Sequence, residues 1–290
     1  MNILLSSNKK YLFATKVCIG SILKHNSNVS IYLLYSTLSD KDVSDIQSLF
    51  NTAEENHFFP IWIDKRKFEG VFVSGNITEE AYYRLVVLDV IPSTEDRALY
   101  LDTDIIVRKP LLKMYNMNLG NMCIAACEDW GMNKKEEIKS KVFKKLEFSD
   151  NDLYFNSGVL LFNLKKMRED FSTSYLLEFS KNNADMITYH DQDVLNYCCK
   201  GKIMPLDFMY NCRSYLFAKK DEPFILDNAY IIHYGPKPWM PEFSGICGNA
   251  FWNVAKELGY KKEYYEHKIG RIKNLFFAII HKVHNVFIRG

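Results

Sequence analysis

Between positions 98 and 107 the chain reads ALYLDTDIIV, with Asp102 and Asp104 one residue apart inside an apolar, strand-like run. In an extended strand, residues i and i+2 share a face, so both carboxylates would project one way and Thr103 the other. Two carboxylates that close repel unless a cation, a proton or water intervenes. The stretch therefore fits either a strand end turning into solvent or a divalent-metal site. Three further stretches carry groups of comparable chemistry: YFNSG at 154–158, HDQD at 190–193 and IIHYGPKPW at 231–239. Singly, each has an ordinary structural use. Asn156 and Gly158 suit a turn, Asp191 an N-cap, His233 a satisfied core histidine, and GPKPW a loop. Together, two carboxylates and an imidazole form the mixed oxygen and nitrogen set that suits Mn²⁺ or a similar ion. Lys237, four residues past His233, can meet a phosphate as a point charge. Asp129, Asn156, Asp191 and Gln192 add the hydrogen-bonding groups that a sugar needs.

The elements that must position these groups alternate along the first half of the chain. Residues 2–7 read as a buried strand, 9–26 as a helix, 29–36 as a strand, and Ser39 with Asp40 opens another helix. Residues 57–63 read as a strand, 78–91 as a helix closed by Pro92, and ALYLD as the next strand. This order predicts an α/β fold with a mostly parallel, doubly wound sheet, whose ligands bind at the carboxyl ends of the strands. LDTD stands at such an end. Beyond it, 121–129 and 154–164 read as strands, and 133–147 as a solvated helix or loop.

Composition narrows the classes. With 48% hydrophobic and 25% charged residues in 290, the chain can bury a sizeable core. A formal net charge of +2 gives no polyanion-binding signature, so no nucleic-acid partner is expected. The seven cysteines form no CxxC pair and read as reduced core residues. MNILLSSNKK lacks a signal-peptide pattern, and no run of about 18 apolar residues is present, so a cytoplasmic protein is expected.

The motif set resembles glycosyltransferase family 8. These are retaining enzymes that include lipooligosaccharide galactosyltransferases, lipopolysaccharide glucosyl- and galactosyltransferases, and glycogenin. The matching blocks are the N-terminal strand–loop–helix, YYRL at 82–85, LYLDTDIIV, AACED, YFNSGVLLFNL, HDQDVLN and HYGPKPW, in family order over roughly residues 1–240. The resemblance implies a GT-A fold, a Rossmann-like single domain, that uses UDP-glucose or UDP-galactose with Mn²⁺ or Mg²⁺. By motif, Asp102, Asp104 and His233 become the metal ligands, and Lys237 grips the diphosphate. Ser6, Asn8 and Tyr11 hold the nucleoside, with Thr103 and Gly235 beside it. Arg84, Asp129, Asn156, Ser157, Asp191 and Gln192 surround the donor sugar, and Gln192, with Asp191 and Asp129, lies nearest the reacting carbon. An amide is a poor nucleophile, which favours front-face attack over a covalent intermediate. The chain departs from the family pattern at Asn8 and Val86, often aspartate and lysine in members, and in the short spacing of HYGPK.

Residues 268–290 differ in character. Ile269, Ile272, Leu275, Phe276, Ile279, Ile280, Val283, Val286 and Phe287 form one helical stripe, opposite Arg271, Asn274, Lys282, Asn285 and Arg289. No acidic residue interrupts this segment, so it suits either the surface of an anionic membrane or packing on the catalytic domain. The expected organisation is a catalytic domain over 1–260 and a membrane-associating tail over 261–290. The expected function is transfer of glucose or galactose to a lipid-linked glycan acceptor, in bacterial surface polysaccharide or lipopolysaccharide synthesis. It would occur at the inner face of the cell membrane. The competing reading is a catalytically silent sugar-nucleotide or glycan-binding protein on the same fold. A DxD phosphatase does not fit, since its motif follows the first strand and here lies far into the chain. Acceptor contacts are expected from segments without motifs, around 130–150 and 207–222.

Overall fold

A computed structural model describes residues 1–50, 55–75 and 78–272. Ten strands occur among them: β1 (Asn2–Ser7), β2 (Ser30–Tyr35), β3 (His57–Trp62), β4 (Arg97–Leu101), β5 (Ile105–Val107), β6 (Ile124–Glu128), β7 (Phe155–Asn163), β8 (Ile203–Leu206), β9 (Cys212–Arg213) and β10 (Ile231–His233). Seven form the main sheet in the order β3-β2-β1-β4-β7-β6-β8. All its pairings are parallel except the two made by β7, so the expected mostly parallel sheet is present. Pro60 and Pro205 stand in its two edge strands, where a missing N–H is tolerated.

The central strands read as continuous apolar runs because both faces are covered. Leu4, Leu34, Tyr100, Ala126 and Phe162 pack into one core, while Ile3, Leu5, Leu99, Leu101, Ala125 and Leu161 pack into the other. A second sheet, β5-β10-β9, was not anticipated. Ile106, Cys212 and Ile232 pack it against Phe251 and Trp252 of the helix Gly248–Glu257.

Three local expectations are corrected. Residues 102–104 are a turn between β4 and β5, because the chain leaves one sheet there to join the other. Strand alternation thus does not apply to LDTD. The helix expected over 78–91 is a 3-10 helix, Glu79–Val86, followed by one α-turn, Val87–Val90. Tyr82, Tyr83, Arg84, Leu85 and Val86 are all buried, so packing on every side overrides helical propensity. Asp191 is not an N-cap, since the helix His190–Cys198 begins before it. Asp193, in the first turn of that helix, instead ties down the segment leading into it: its carboxylate accepts from the backbone N–H groups of Thr188 (2.6 Å) and Tyr189 (2.7 Å), and from the Tyr154 hydroxyl. Asn196 clamps the same helix to β7, exchanging two 2.8 Å bonds with the Phe155 backbone.

The helix at 261–272 begins against the body of the protein, with Trp252 4.8 Å from the His267 ring. Ile269 and Ile272 are 54% and 66% exposed, and the rest of the expected tail, 273–290, lies outside the described residues.

Asp193→Ala should orphan two backbone donors and a buried tyrosine hydroxyl together. Urea unfolding should show a loss of about 2–4 kcal/mol. A loss under 1 kcal/mol would mean that water replaces the carboxylate there.

Candidate active site

The turn after β4 and the end of β10 come together because β10 pairs antiparallel with β5, in register His233 to Ile105. The Tyr234 N–H also donates to the Asp104 carbonyl at 3.0 Å. One ligand atom each from Asp102, Asp104 and His233 then falls within 4.8 Å of the others. His233 Nε2 is 3.3 Å from Asp104 Oδ1 and 3.9 Å from Asp102 Oδ2. Gly158 of β7 completes the enclosure. A Cβ on it would lie 2.4 Å from His233 Cε1 and 2.8 Å from Asp102 Oδ2. Two carboxylate oxygens and an imidazole nitrogen, converging in room kept open by a glycine, fit a divalent ion.

The tautomer of His233 follows from the hydrogen bonds behind it. The Gly158 N–H donates to Asn156 Oδ1 at 3.1 Å, so that atom is an acceptor. Asn211 Nδ2 donates to the same oxygen at 2.7 Å, which turns Asn211 Oδ1 toward His233 Nδ1 at 2.8 Å. An amide oxygen only accepts, so Nδ1 carries a proton and Nε2 is the nitrogen turned toward the carboxylates. A backbone amide thereby sets the orientation of a side chain far along the chain.

Beneath Asp102 lies Arg84, which is 5% exposed. Its guanidinium donates to Asp102 Oδ1 (2.9 Å), to Ser157 Oγ (3.0 Å) and to the Ser157 carbonyl. It also pairs with Asp191 at 3.0 Å and lies over the Tyr100 ring, 4.3 Å from the centroid. Burial pushes the Asp191 carboxyl up to about 6 despite the arginine beside it, with the Asp102 charge adding to the shift. Asp104 goes the other way. Burial alone would raise it, but His233 and Lys237 hold it well below the usual carboxylate range. Lys237 pairs directly with Asp104 Oδ2, and also donates to the Tyr234 carbonyl at 2.9 Å.

On the other flank, Gln192 Oε1 accepts from the Ser157 N–H (3.0 Å) and from Asn156 Nδ2 (3.0 Å). Its Nε2 donates to Asp129 Oδ2 at 3.3 Å. The second Asp129 oxygen pairs with buried Arg213 at 2.7 Å, and that pairing outweighs burial to keep the carboxyl low.

Ser6, Asn8, Tyr11, Thr103 and Lys237 line one cleft of about 210 Å³ with Arg84, Asp102 and Asp104. Thr103 faces the same cleft as the two aspartates, the reverse of the strand expectation, because the three form a turn. Gly235 is instead packed under Tyr215, where a Cβ would come within 2.4 Å of the ring. Asn211, Arg213 and Tyr100 were missed in the sequence. Asn211 and Arg213 belong to no motif, and Tyr100 reads there only as another strand residue.

A sequence profile for Glycosyl transferase family 8 matches residues 2–242. General stress protein A of Bacillus subtilis is 27% identical over 192 residues, which cover 61% of this chain and 65% of that protein. The chain thus spans just under two thirds of that relative's length. Lipopolysaccharide 1,2-glucosyltransferase of Escherichia coli K12 is 26% identical over 255 residues, covering 82% of this chain and 72% of the relative. Among solved structures, galactosyltransferase LgtC in complex with donor and acceptor sugar analogues superposes with a TM-score of 0.76 at 23% identity. The match covers 89% of this chain and 96% of that one, a likeness of fold.

Replacing Gly158 by alanine should abolish divalent-ion binding, because the new methyl group overlaps His233 and Asp102. Asn211→Ala, which leaves every ligand atom in place, should weaken Mn²⁺ about 10- to 100-fold by calorimetric titration. Unchanged affinity in Asn211→Ala would show that the ring needs no partner to face the site.

Proposed function

Because the chain belongs to glycosyltransferase family 8, we propose that it is a retaining hexosyltransferase. It would move glucose or galactose from the UDP-sugar to a glycan acceptor with Mn²⁺ or Mg²⁺ assistance. The observation that carries this reading is the Asp102, Asp104 and His233 cluster opening into the same cleft as Ser6, Asn8, Tyr11 and Lys237. That juxtaposition suits a nucleoside diphosphate bridged to a metal.

When bound, the ion supplies Lewis-acid stabilisation to the charge that builds on the departing UDP. Lys237 exchanges its partner Asp104 for the diphosphate and keeps a positive charge beside the leaving group. Arg84 holds Asp102 in place through its second oxygen, leaving the first directed at the site. Gln192 presents an amide whose oxygen already accepts two N–H groups, so its lone pairs are withdrawn from attack. Front-face displacement follows: the acceptor oxygen bonds to the anomeric carbon on the side from which UDP departs. The hydroxyl proton passes to a UDP oxygen, and configuration is retained. Asp129 and Asp191 place negative charge near the developing oxocarbenium centre.

The acceptor in this reading is a lipid-linked glycan of bacterial surface polysaccharide or lipopolysaccharide, modified at the cytoplasmic face of the membrane. The catalytic domain spans 1–260, and the tail, 261–290, holds the enzyme to anionic lipid. Exposure of Ile269 and Ile272, the first members of the apolar stripe, supports this placement. No helix among the described residues is long and apolar enough to cross a membrane.

A donor-hydrolysis screen of UDP-sugars with and without Mn²⁺ tests the reading. UDP-glucose or UDP-galactose should turn over only with the metal, and Asp102→Ala or Asp104→Ala should lower the rate about 10³-fold. Undiminished turnover in either variant sinks it. UDP binding without turnover across a donor and acceptor panel would favour a silent sugar-nucleotide-binding protein.

A further inference from the structure

The two segments that carry no motif meet each other in the fold. Arg213 Nη1 pairs with Asp129 Oδ1 at 2.7 Å, and its Nη2 donates to the Glu128 carbonyl at 3.2 Å. Leu216 lies against Gly131, where a Cβ would come 3.8 Å from Leu216 Cδ2. Between the segments is a cleft of about 280 Å³ whose lining includes Glu128, Trp130, Leu206, Phe208, Asn211 and Leu216. Its volume is near the lower end of the range for small-molecule sites, about 300 Å³, and so suits one ring rather than an extended chain.

The chemistry of the lining is specific. Trp130 and Phe208 are 47% and 48% exposed, and Phe208 stacks on Phe217 with centroids 6.2 Å apart at 24°. Glu128, half-buried, lines the cleft beside Asn211 and Arg213, and its carboxylate has no hydrogen bond or ion pair among the described residues. Arg213 adds no free positive charge, because its guanidinium is already held by Asp129. The C–H face of a pyranose carries slight positive charge and is attracted to the negative face of an aromatic ring. Its hydroxyls donate well to a carboxylate. An anionic sugar would meet Glu128 as a like charge.

Position links the cleft to the transfer site. Asn211 lines it and also orients His233, and Asp129 joins Arg213 on one oxygen to Gln192 on the other. We propose that this cleft is the acceptor subsite, shaped for one uncharged pyranose ring stacked on Phe208 and Trp130 with hydroxyls on Glu128. The assignment to an acceptor rests on the transferase reading above. The selectivity for a neutral ring does not.

Saturation-transfer NMR on the full chain tests it, with methyl β-galactopyranoside and methyl β-glucopyranoside as neutral probes and methyl β-glucuronide as the anionic one. At least one neutral glycoside should bind, and the glucuronide should bind about tenfold or more weakly. Phe208→Ala should weaken the neutral ring about three- to tenfold, whereas Phe224→Ala, also at an exposed phenylalanine but outside the cleft, should not. Glu128→Gln should narrow the gap between glucoside and glucuronide. Thermal melts of each variant separate misfolding from lost contact. Failure of both neutral glycosides to bind, equal binding of the glucuronide, or identical affinities in Phe208→Ala and Phe224→Ala overturns the proposal. A parallel UDP titration with Mn²⁺ isolates the other reading. Glycoside binding without UDP binding would keep the neutral-sugar cleft and remove the transferase.

Discussion

The positive charge of Arg84 is buried, and the surrounding structure is arranged so that this burial is tolerated. An isolated guanidinium in an apolar interior is strongly unfavourable, whereas one paired with carboxylates and saturated with hydrogen bonds is held firmly. Arg84 meets Asp102 from the turn after β4, Ser157 from β7 and Asp191 from the helix His190–Cys198, and it covers the Tyr100 ring. Four parts of the chain converge on a single cation. The tight 3-10 turn that carries Arg84 follows from the same demand, since its neighbours must also be buried on every side.

From that cation outward, orientation is passed along by groups that have no choice of role. Backbone N–H groups can only donate, and those of Ser157 and Gly158 set the amides of Gln192 and Asn156. Asn156 sets Asn211, and Asn211 sets His233. The FNSG stretch at the start of β7 therefore has a structural use of its own. It is the reference against which the His233 imidazole and the Gln192 amide are both aligned, so one backbone displacement would disturb both together.

Charge balance explains the remaining arrangement. Asp102 and Asp104 would repel if left alone, yet each has one oxygen engaged by a cation, Arg84 or Lys237, and the other directed toward His233. Both cations line the cleft, Arg84 held by Asp102, Asp191 and Ser157, and Lys237 by Asp104 and the Tyr234 carbonyl. Asp129 repeats the pattern, with Arg213 on one side and Gln192 on the other. The carboxylates of the site are thus each paired with a cation of the chain itself.

The sequence by itself determined the α/β alternation, the carboxylate pair at a strand end, and the residue types that metal and sugar chemistry require. Those signals are local: apolar periodicity, a D-x-D spacing, an Asn-Ser-Gly run leading into an apolar strand. Only the tertiary structure decided that LDTD is a turn between two sheets, which placed Thr103 beside the aspartates rather than opposite them. The pairing of β10 with β5 could not be read either, because a three-residue strand carries too little pattern to announce its partner. Asn211, Arg213 and Asp193 look ordinary in sequence. Their importance comes from what they touch, and contacts between residues distant in the chain leave no mark on either neighbourhood.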